Sequence, residues 1–132
     1  MIFLLLFNLY SFEVKEIKVK NISLKVEVAD DDQERAKGLM YRETMGEYDG
    51  MLFIFPTLKR QSFWMKNTRI PLSIGFFDSQ RVLIDIQQMA VPKSQNELKN
   101  YKSASPAQYA LEVPKGWFQQ NKVGLGSRLE IK

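Results

Sequence analysis

The chain has 132 residues, a formal net charge of +4, and a composition that is 45% hydrophobic and 26% charged. This length suits one globular domain that buries about two-thirds of its unfolded surface. Because the sequence contains neither cysteine nor histidine, it excludes disulfides, thiol nucleophiles, Ser-His-Asp triads and the usual zinc sites. We therefore expect no metal and no cofactor, and any chemistry must come from carboxylate, lysine, arginine, hydroxyl and tyrosine side chains.

The lysines are spread along the whole chain and form no dense basic run. Nucleic-acid-binding domains usually gather basic residues on one face and interleave them with stacking aromatics. The sequence therefore predicts that nucleic acid is not a partner.

The first ten residues, Met1 to Tyr10, are apolar except for Asn8. A run of this length fits the core of a secretory signal better than a membrane span of about 20 residues. The fit is incomplete, because no basic residue precedes the run and a large residue, Tyr10, lies where a cleavage site needs a small one. We predict a signal-like segment at 1–12 and one domain at 13–132, with membrane contact only during export. A buried N-terminal strand and a cytoplasmic protein are the alternatives.

The first predicted elements are strands and one short helix. Apolar and polar residues alternate from Ile22 to Val28, the pattern of a strand with one wet face. Val14 to Val19 is a weaker strand that could pair with it around Lys20-Asn21. Asp31 and Glu34 have capping-box spacing, so a helix should begin there and end near Gly38.

Further along, Met51 to Phe55 is apolar at every position, which is typical of a strand covered on both faces, and Pro56 should end it. Phe63 and Met65 should then face one way, and Trp64 and Lys66 the other. The remaining predicted elements are strands at 70–77 and 81–86, a surface crossing or mobile flap at 90–105, a strand at 109–113, a helical turn opened by Pro114, and a last strand at 128–131. Together these elements, six or seven strands in all, predict a compact, β-rich α+β domain with a mainly antiparallel or barrel-like sheet and two short helices.

Four blocks of sequence occur in a fixed order: ERAKGLMYR at 34–42, GMLFIF at 50–55, FWMKNTRIPL at 63–72 and YALEV at 109–113, followed by Gly116 and Gly126. From about Leu24 to Ile131 they resemble the bacterial and archaeal family called domain of unknown function 192. The resemblance implies a compact β-rich fold, often with a secretion signal, and no established reaction. Where that family usually has an acidic residue after Pro-Leu, this chain has Ser73, so a carboxylate role at this position does not carry over.

The candidate ligand-binding residues all lie inside these blocks: Arg35, Arg42, Lys66, Asn67, Thr68 and Glu112. Arginine can bind a carboxylate or phosphate through two parallel hydrogen bonds, and lysine adds a point charge, so an anion pocket is one interpretation. Alternatively, the cations pair with Glu112, Asp49 or backbone carbonyls, and Asn67-Thr68 forms a hydrogen-bonded corner. The acidic run at 30–32 fits a helix cap better than a calcium loop.

Three functions remain open from the sequence. We prefer a small, monomeric, exported or envelope-associated binding module for an anionic or saccharide ligand, because no catalytic signature is present. The first alternative is a hydrolase or transferase that uses Glu112 and Lys66, which would need a displaced pKa in a cleft. The second is a purely structural or protein-interaction domain. Convergence of Arg35, Arg42, Lys66 and Glu112 on one open concavity would favour the binding module or the enzyme.

Overall fold

The computed structural model describes residues 11–132; the signal-like run Met1–Tyr10, with its alternative of a buried strand, lies outside the described residues. Within them, the strands are β1 (Glu13–Val19), β2 (Ile22–Ala29), β3 (Gly50–Lys59), β4 (Ser62–Trp64), β5 (Leu72–Phe77), β6 (Leu83–Met89), β7 (Asn100–Lys102), β8 (Ala107–Pro114) and β9 (Leu129–Ile131). The helices are α1 (Asp32–Lys37) and α2 (Trp117–Gln120), and a 3-10 turn spans Gln95–Glu97. In this part of the chain, no helix is long and apolar enough to cross a membrane.

Seven strands form one sheet in the order β6-β5-β8-β3-β2-β1-β9, and β4 and β7 form a separate two-stranded sheet. Neighbouring strands of the large sheet are antiparallel, except that β2 and β3 run parallel. An antiparallel bridge between Val82 and Arg128 joins the two edges of the sheet at one end. The sheet is therefore curled into a half-barrel, which confirms the predicted β-rich α+β fold.

Side chains alternate across the sheet, so each face has its own core. The inner core contains Leu83 and Leu129, which come from opposite edges of the sheet, together with Phe118 of α2. This face is therefore the concave one. At Gly75 a Cβ atom would come within 2.5 Å of the Phe118 ring, so a glycine is needed for α2 to pack closely on the sheet. The outer core, on the opposite face, is built around Met51, Phe53, Ile74, Phe76 and Ala110.

The local signals of the first elements are confirmed. β1 and β2 pair directly, and Lys20 and Asn21 turn the chain with φ values of 49° and 69°. The backbone N–H of Glu34 donates to Asp31 Oδ1 at 2.7 Å, and Gly38 ends α1 with φ of 47°. These elements could be predicted because their hydrogen bonds lie between near neighbours in sequence.

Three predictions about later elements were wrong. Pro56 does not end β3, which continues to Lys59. The pairing of β3 with β8 is interrupted between Ile54 and Lys59, so Pro56 does not need to donate a hydrogen bond to the neighbouring strand. The crossing at 90–105 contains β7, which pairs with β4 and raises the strand count to nine. The helical turn predicted after Pro114 is present as α2, but Pro114 does not open it: Pro114 ends β8, and α2 follows Gly116, whose φ of 90° is left-handed.

Candidate functional site

A cavity of about 260 Å³ opens on the outer face of the sheet, which is covered by connecting segments rather than by a second large sheet. We call it the Glu112 cavity. Its lining comes from α1 and the chain after it, from β3 and β4, and from two further residues: Arg35, Ala36, Lys37, Gly38, Leu39, Met40, Phe53, Phe55, Ser62, Phe63, Trp64, Thr68 and Glu112.

Glu112 is contributed by the middle of β8, where it lies between Met51 of β3 and Ile74 of β5. It is only 5% exposed, and its carboxyl has no hydrogen-bond or ion-pair partner among residues 11–132. Every fully sealed side-chain nitrogen or oxygen in the described residues does have a partner. The Glu112 oxygens must therefore reach the open space of the cavity.

Burial raises the pKa of the Glu112 carboxyl to about 8, because the charged form loses hydration. Most of the carboxyl is therefore protonated at neutral pH. A protonated carboxyl can donate one hydrogen bond and accept others. The cavity thus offers a ligand a polar group of both kinds without a full negative charge.

Arg35 lies on the last turn of α1, beside the cavity. Its Nη1 donates to the backbone oxygen of Ile54 at 2.8 Å, and its Nη2 donates to Asp32 Oδ1 at 2.7 Å. The guanidinium also lies 5.6 Å from the centroid of the Phe55 ring. These contacts hold Arg35 in place and use part of its donor capacity, so it forms a fixed positive wall of the cavity.

Aromatic rings form the apolar part of the cavity wall. Phe63 makes edge-to-face contacts with Phe53, Phe55 and Phe76 at centroid distances of 4.9, 5.9 and 5.8 Å. Trp64, at the rim, keeps 46% of its surface exposed. Phe63 and Met65 are indeed more buried than Trp64 and Lys66, as the alternation predicted.

Thr68 is the third predicted residue in the cavity wall. It is buried, and its Oγ1 donates to the backbone oxygen of Lys66 at 3.1 Å. Asn67, just before it, is exposed and has a left-handed φ of 54°. Asn67 Nδ2 donates to Tyr41 Oη at 2.9 Å, and its backbone oxygen accepts from Tyr41 N at 2.7 Å. The Asn67-Thr68 stretch is thus a hydrogen-bonded corner, one of the two interpretations that the sequence allowed.

The two remaining predicted cations lie elsewhere. Arg42 forms a two-pronged ion pair with the buried Glu27, one prong being Nη2 to Oε2 at 3.2 Å. Lys66 is exposed, with its Nζ 5.1 Å from the Trp64 ring centroid, and lines a groove on the other side of the corner. The structure therefore brings Arg35, Thr68 and Glu112 together and leaves Arg42, Lys66 and Asn67 outside the cavity.

The aromatic wall and Ser62 were not among the predicted binding residues. The signal that points to them is the lone carboxyl in the block YALEV. A carboxyl in a strand whose other positions are apolar faces either solvent or a cavity. If it faces a cavity, the neighbouring buried strands must supply the cavity wall. Phe53 and Phe55 belong to such a strand, although their sequence alone indicates only a core.

Ser73, which replaces the usual acidic residue, is buried on the face opposite Glu112. Its hydroxyl donates to Gln88 Oε1 at 2.6 Å and accepts from the backbone N–H of Gly116 at 2.9 Å. It thus holds the start of α2 against β5. Asp30, Asp31 and Glu34 also come close together, and the cap of α1 accounts for their arrangement.

Comparison with known proteins agrees with this architecture. The family model DUF192, described as Uncharacterized ACR, matches residues 14–131. A crystal structure from Sinorhizobium meliloti 1021, provisionally described as a transcription regulator, is 34% identical with a TM-score of 0.81 and covers 92% of this chain and 95% of that chain. A protein of unknown function from Novosphingobium aromaticivorans DSM 12444 is 29% identical with a TM-score of 0.81 and covers 90% and 86%. The comparison with curated proteins gives no match.

Proposed function

The chain belongs to the DUF192 family, and on that premise we propose that it is a small binding module whose site is the Glu112 cavity. One observation carries the proposal. A buried carboxyl without a partner among the described residues is costly to the fold, yet Glu112 holds this position at an opening that has room for a ligand group. A ligand that hydrogen-bonds to Glu112 would recover that cost.

The lining favours a hydroxylated ligand such as a saccharide. A sugar ring can place an apolar face on Phe63 or Trp64 and direct a hydroxyl to Glu112, which both donates and accepts when protonated. An anionic ligand is the other class that suits the cavity, since Arg35 and Lys37 line it and the Glu112 carboxyl, with its raised pKa, is mostly protonated at neutral pH. Arg42, Lys66 and Asn67 do not line this cavity. Their contacts with a ligand remain predictions.

The apolar N-terminal run supports a further part of the proposal, that the protein is exported or envelope-associated. We also propose that it acts as a monomer. Fractionation of the natural host followed by size-exclusion chromatography tests both statements. A strictly cytosolic protein, or a stable oligomer, would contradict them.

A second candidate function is acid–base catalysis, because the pKa of Glu112, about 8, lies close to neutral pH. The structure does not place Lys66 in the same cavity, and the lining contains no second carboxylate. A hydrolase that needs two carboxylates is therefore not supported, and this candidate is confined to proton transfer by a single group.

The description of the Sinorhizobium structure as a transcription regulator raises nucleic acid as another ligand. Helices α1 and α2 of this chain span only six and four residues, which is too short for a recognition helix in the major groove. We keep the prediction that the protein does not bind nucleic acid. An electrophoretic mobility assay with duplex DNA at low salt tests it, since a salt-sensitive shift at micromolar protein would contradict it.

Titration calorimetry with neutral and acidic mono- and disaccharides, and with simple carboxylates, tests the proposed binding. The informative variant is Glu112→Leu, which should fold at least as well as the wild type because no observed partner is lost. We expect it to weaken binding at least about tenfold, the effect of one lost polar contact. Lys66→Met, outside the cavity, is the matched control. Equal binding by the wild type and Glu112→Leu would contradict the proposal.

A further inference from the structure

Strand β4 has a hydrogen-bonded neighbour on one side only. It pairs antiparallel with β7, Phe63 lying opposite Tyr101, and no strand of the described residues lies along its other edge. Unpaired edges of this kind can accept an added strand from another polypeptide. Whether this edge can do so depends on where its free backbone groups point.

The register fixes that direction. Ser103 N donates to Gln61 O at 2.9 Å, so these two residues form a hydrogen-bonded pair, and Phe63 occupies the next such position. In an antiparallel ladder the residues between such pairs direct their N–H and C=O groups away from the partner strand. Ser62 and Trp64 therefore present their backbone groups at the outer edge, where no residue of 11–132 bonds to them.

The outer edge of β4 faces the Glu112 cavity. Ser62, Phe63 and Trp64 all line this cavity, although successive side chains of a strand point to opposite faces. A cavity that runs along the edge of the strand accounts for contact with all three residues. Its opposite wall is the chain from Ala36 to Met40, which is not a strand, so an added strand would lie between the two.

The charge of the lining indicates what kind of segment fits. Arg35 and Lys37, both on α1, line the cavity. The acidic residue in the lining is Glu112, at the base. A segment lying along β4 would face the positive charge of α1, and acidic residues would complement it.

We infer that the outer edge of β4 and the Glu112 cavity together bind an extended acidic peptide, which adds a strand to β4 and places one side chain in the cavity. This inference rests on the proposed function, because it uses the same cavity and names its ligand as a polypeptide segment. Backbone hydrogen bonds to Ser62 and Trp64 would supply affinity, and the cavity would select the inserted side chain.

The test uses fluorescein-labelled, capped octapeptides in which threonine or valine alternates with aspartate or glutamate, and measures fluorescence anisotropy with the full-length protein. A matched pool carries N-methyl groups on alternate residues, which removes the backbone donors along one edge of the peptide.

Ser62→Pro removes one outward N–H of β4, and proline is tolerated on a strand edge whose N–H faces outward. Ser62→Ala keeps this N–H and is the control.

We expect the acidic pool to bind the wild type and Ser62→Ala within about twofold, and Ser62→Pro at least about tenfold more weakly. The N-methylated pool should not bind. Circular dichroism and thermal melting check the fold of Ser62→Pro, and if this variant is unfolded the comparison of the two pools on the wild type decides. No binding of the acidic pool, or equal binding of both pools, would overturn the inference. If the peptide test fails while saccharide binding is retained by Ser62→Pro and lost in Glu112→Leu, the inference is wrong and the proposed function still holds.

Discussion

The two faces of the large sheet are both packed with apolar side chains, but they differ in what else they contain. The inner core is closed by strands from both edges of the half-barrel and by α2, and its buried Ser73 is fully engaged in hydrogen bonds. The outer core holds the Glu27–Arg42 ion pair, a cavity, and Glu112, whose carboxyl has no partner among residues 11–132. The comparison indicates that the inner face is packed throughout, whereas the outer face keeps a buried carboxyl beside a cavity, which is the proposed binding site.

Replacing Phe118 should break the inner face and produce the largest effect. Phe118→Ala removes a buried ring that packs against Gly75 and should lower the free energy of unfolding by about 3–5 kcal/mol. Urea denaturation measures this. Phe63→Ala, in the partly exposed outer wall, should cost less and abolish ligand binding. A cost below about 1 kcal/mol for Phe118→Ala would mean that α2 is not part of the core.

The buried carboxyl of Glu112 should make the stability of the protein depend on pH, and this dependence distinguishes the outer face of the sheet from the inner one. The pKa of Glu112 is about 8 when folded, against 4.5 ordinarily. Between these values the folded state keeps a proton that the unfolded chain releases, so rising pH favours unfolding. The loss should be about 1.4 kcal/mol per pH unit, or roughly 3 kcal/mol from pH 5 to 7.

Glu112→Gln should remove this component of the pH dependence, because its amide does not titrate. Urea denaturation of both proteins at pH 5, 6 and 7 gives the difference in slope, in which the contributions of other groups cancel. Identical slopes for the wild type and Glu112→Gln would show that the carboxyl is not buried in solution.

Arg42 and Lys66 should differ in how much their removal destabilises the protein. Arg42→Met strips the buried Glu27 of its partner and should destabilise the protein by about 1–3 kcal/mol. Lys66→Met removes an exposed charge above Trp64 and should change stability by less than about 0.5 kcal/mol. Chemical denaturation of the pair is the measurement, and equal costs would contradict the distinction.

A smaller effect than that of Arg42→Met is expected at the corner beside the cavity. Asn67 has a left-handed φ, which costs an alanine about 1 kcal/mol and a glycine little. Asn67→Ala should therefore lower the melting temperature by about 4 °C, and Asn67→Gly by clearly less. If Asn67→Gly were as destabilising as Asn67→Ala, the hydrogen bond to Tyr41 rather than the backbone conformation would be decisive.

The sequence predicted the features that depend on near neighbours in the chain. The β1–β2 hairpin, the Asp31 cap and the Gly38 end of α1 each follow from a few adjacent residues. It did not predict that β2 and β3 run parallel or that β7 pairs with β4. These pairings join distant segments, and β7 is only three residues long, too short to show a period.

The candidate site was predicted in part for the same reason. Arg35, Thr68 and Glu112 were chosen from motifs and do line one cavity. The burial of Glu112 could not be predicted, because its alternation with Leu111 and Val113 equally suits a strand with one wet face. Glu112 is buried because connecting segments cover the outer face of the sheet. The sequence of those segments has no periodicity that would indicate where they fold back.

The bridge between Val82 and Arg128, together with the pairing of β9 with β1, has a consequence for synthesis of the protein. A nascent chain can form the β1–β2 hairpin early, but the half-barrel cannot close until its last strand has left the ribosome. Contacts between segments so far apart in sequence form slowly and leave apolar strands exposed meanwhile. The half-barrel should therefore close only once β9 has been synthesised, and until then the newly made chain is a natural client for chaperones.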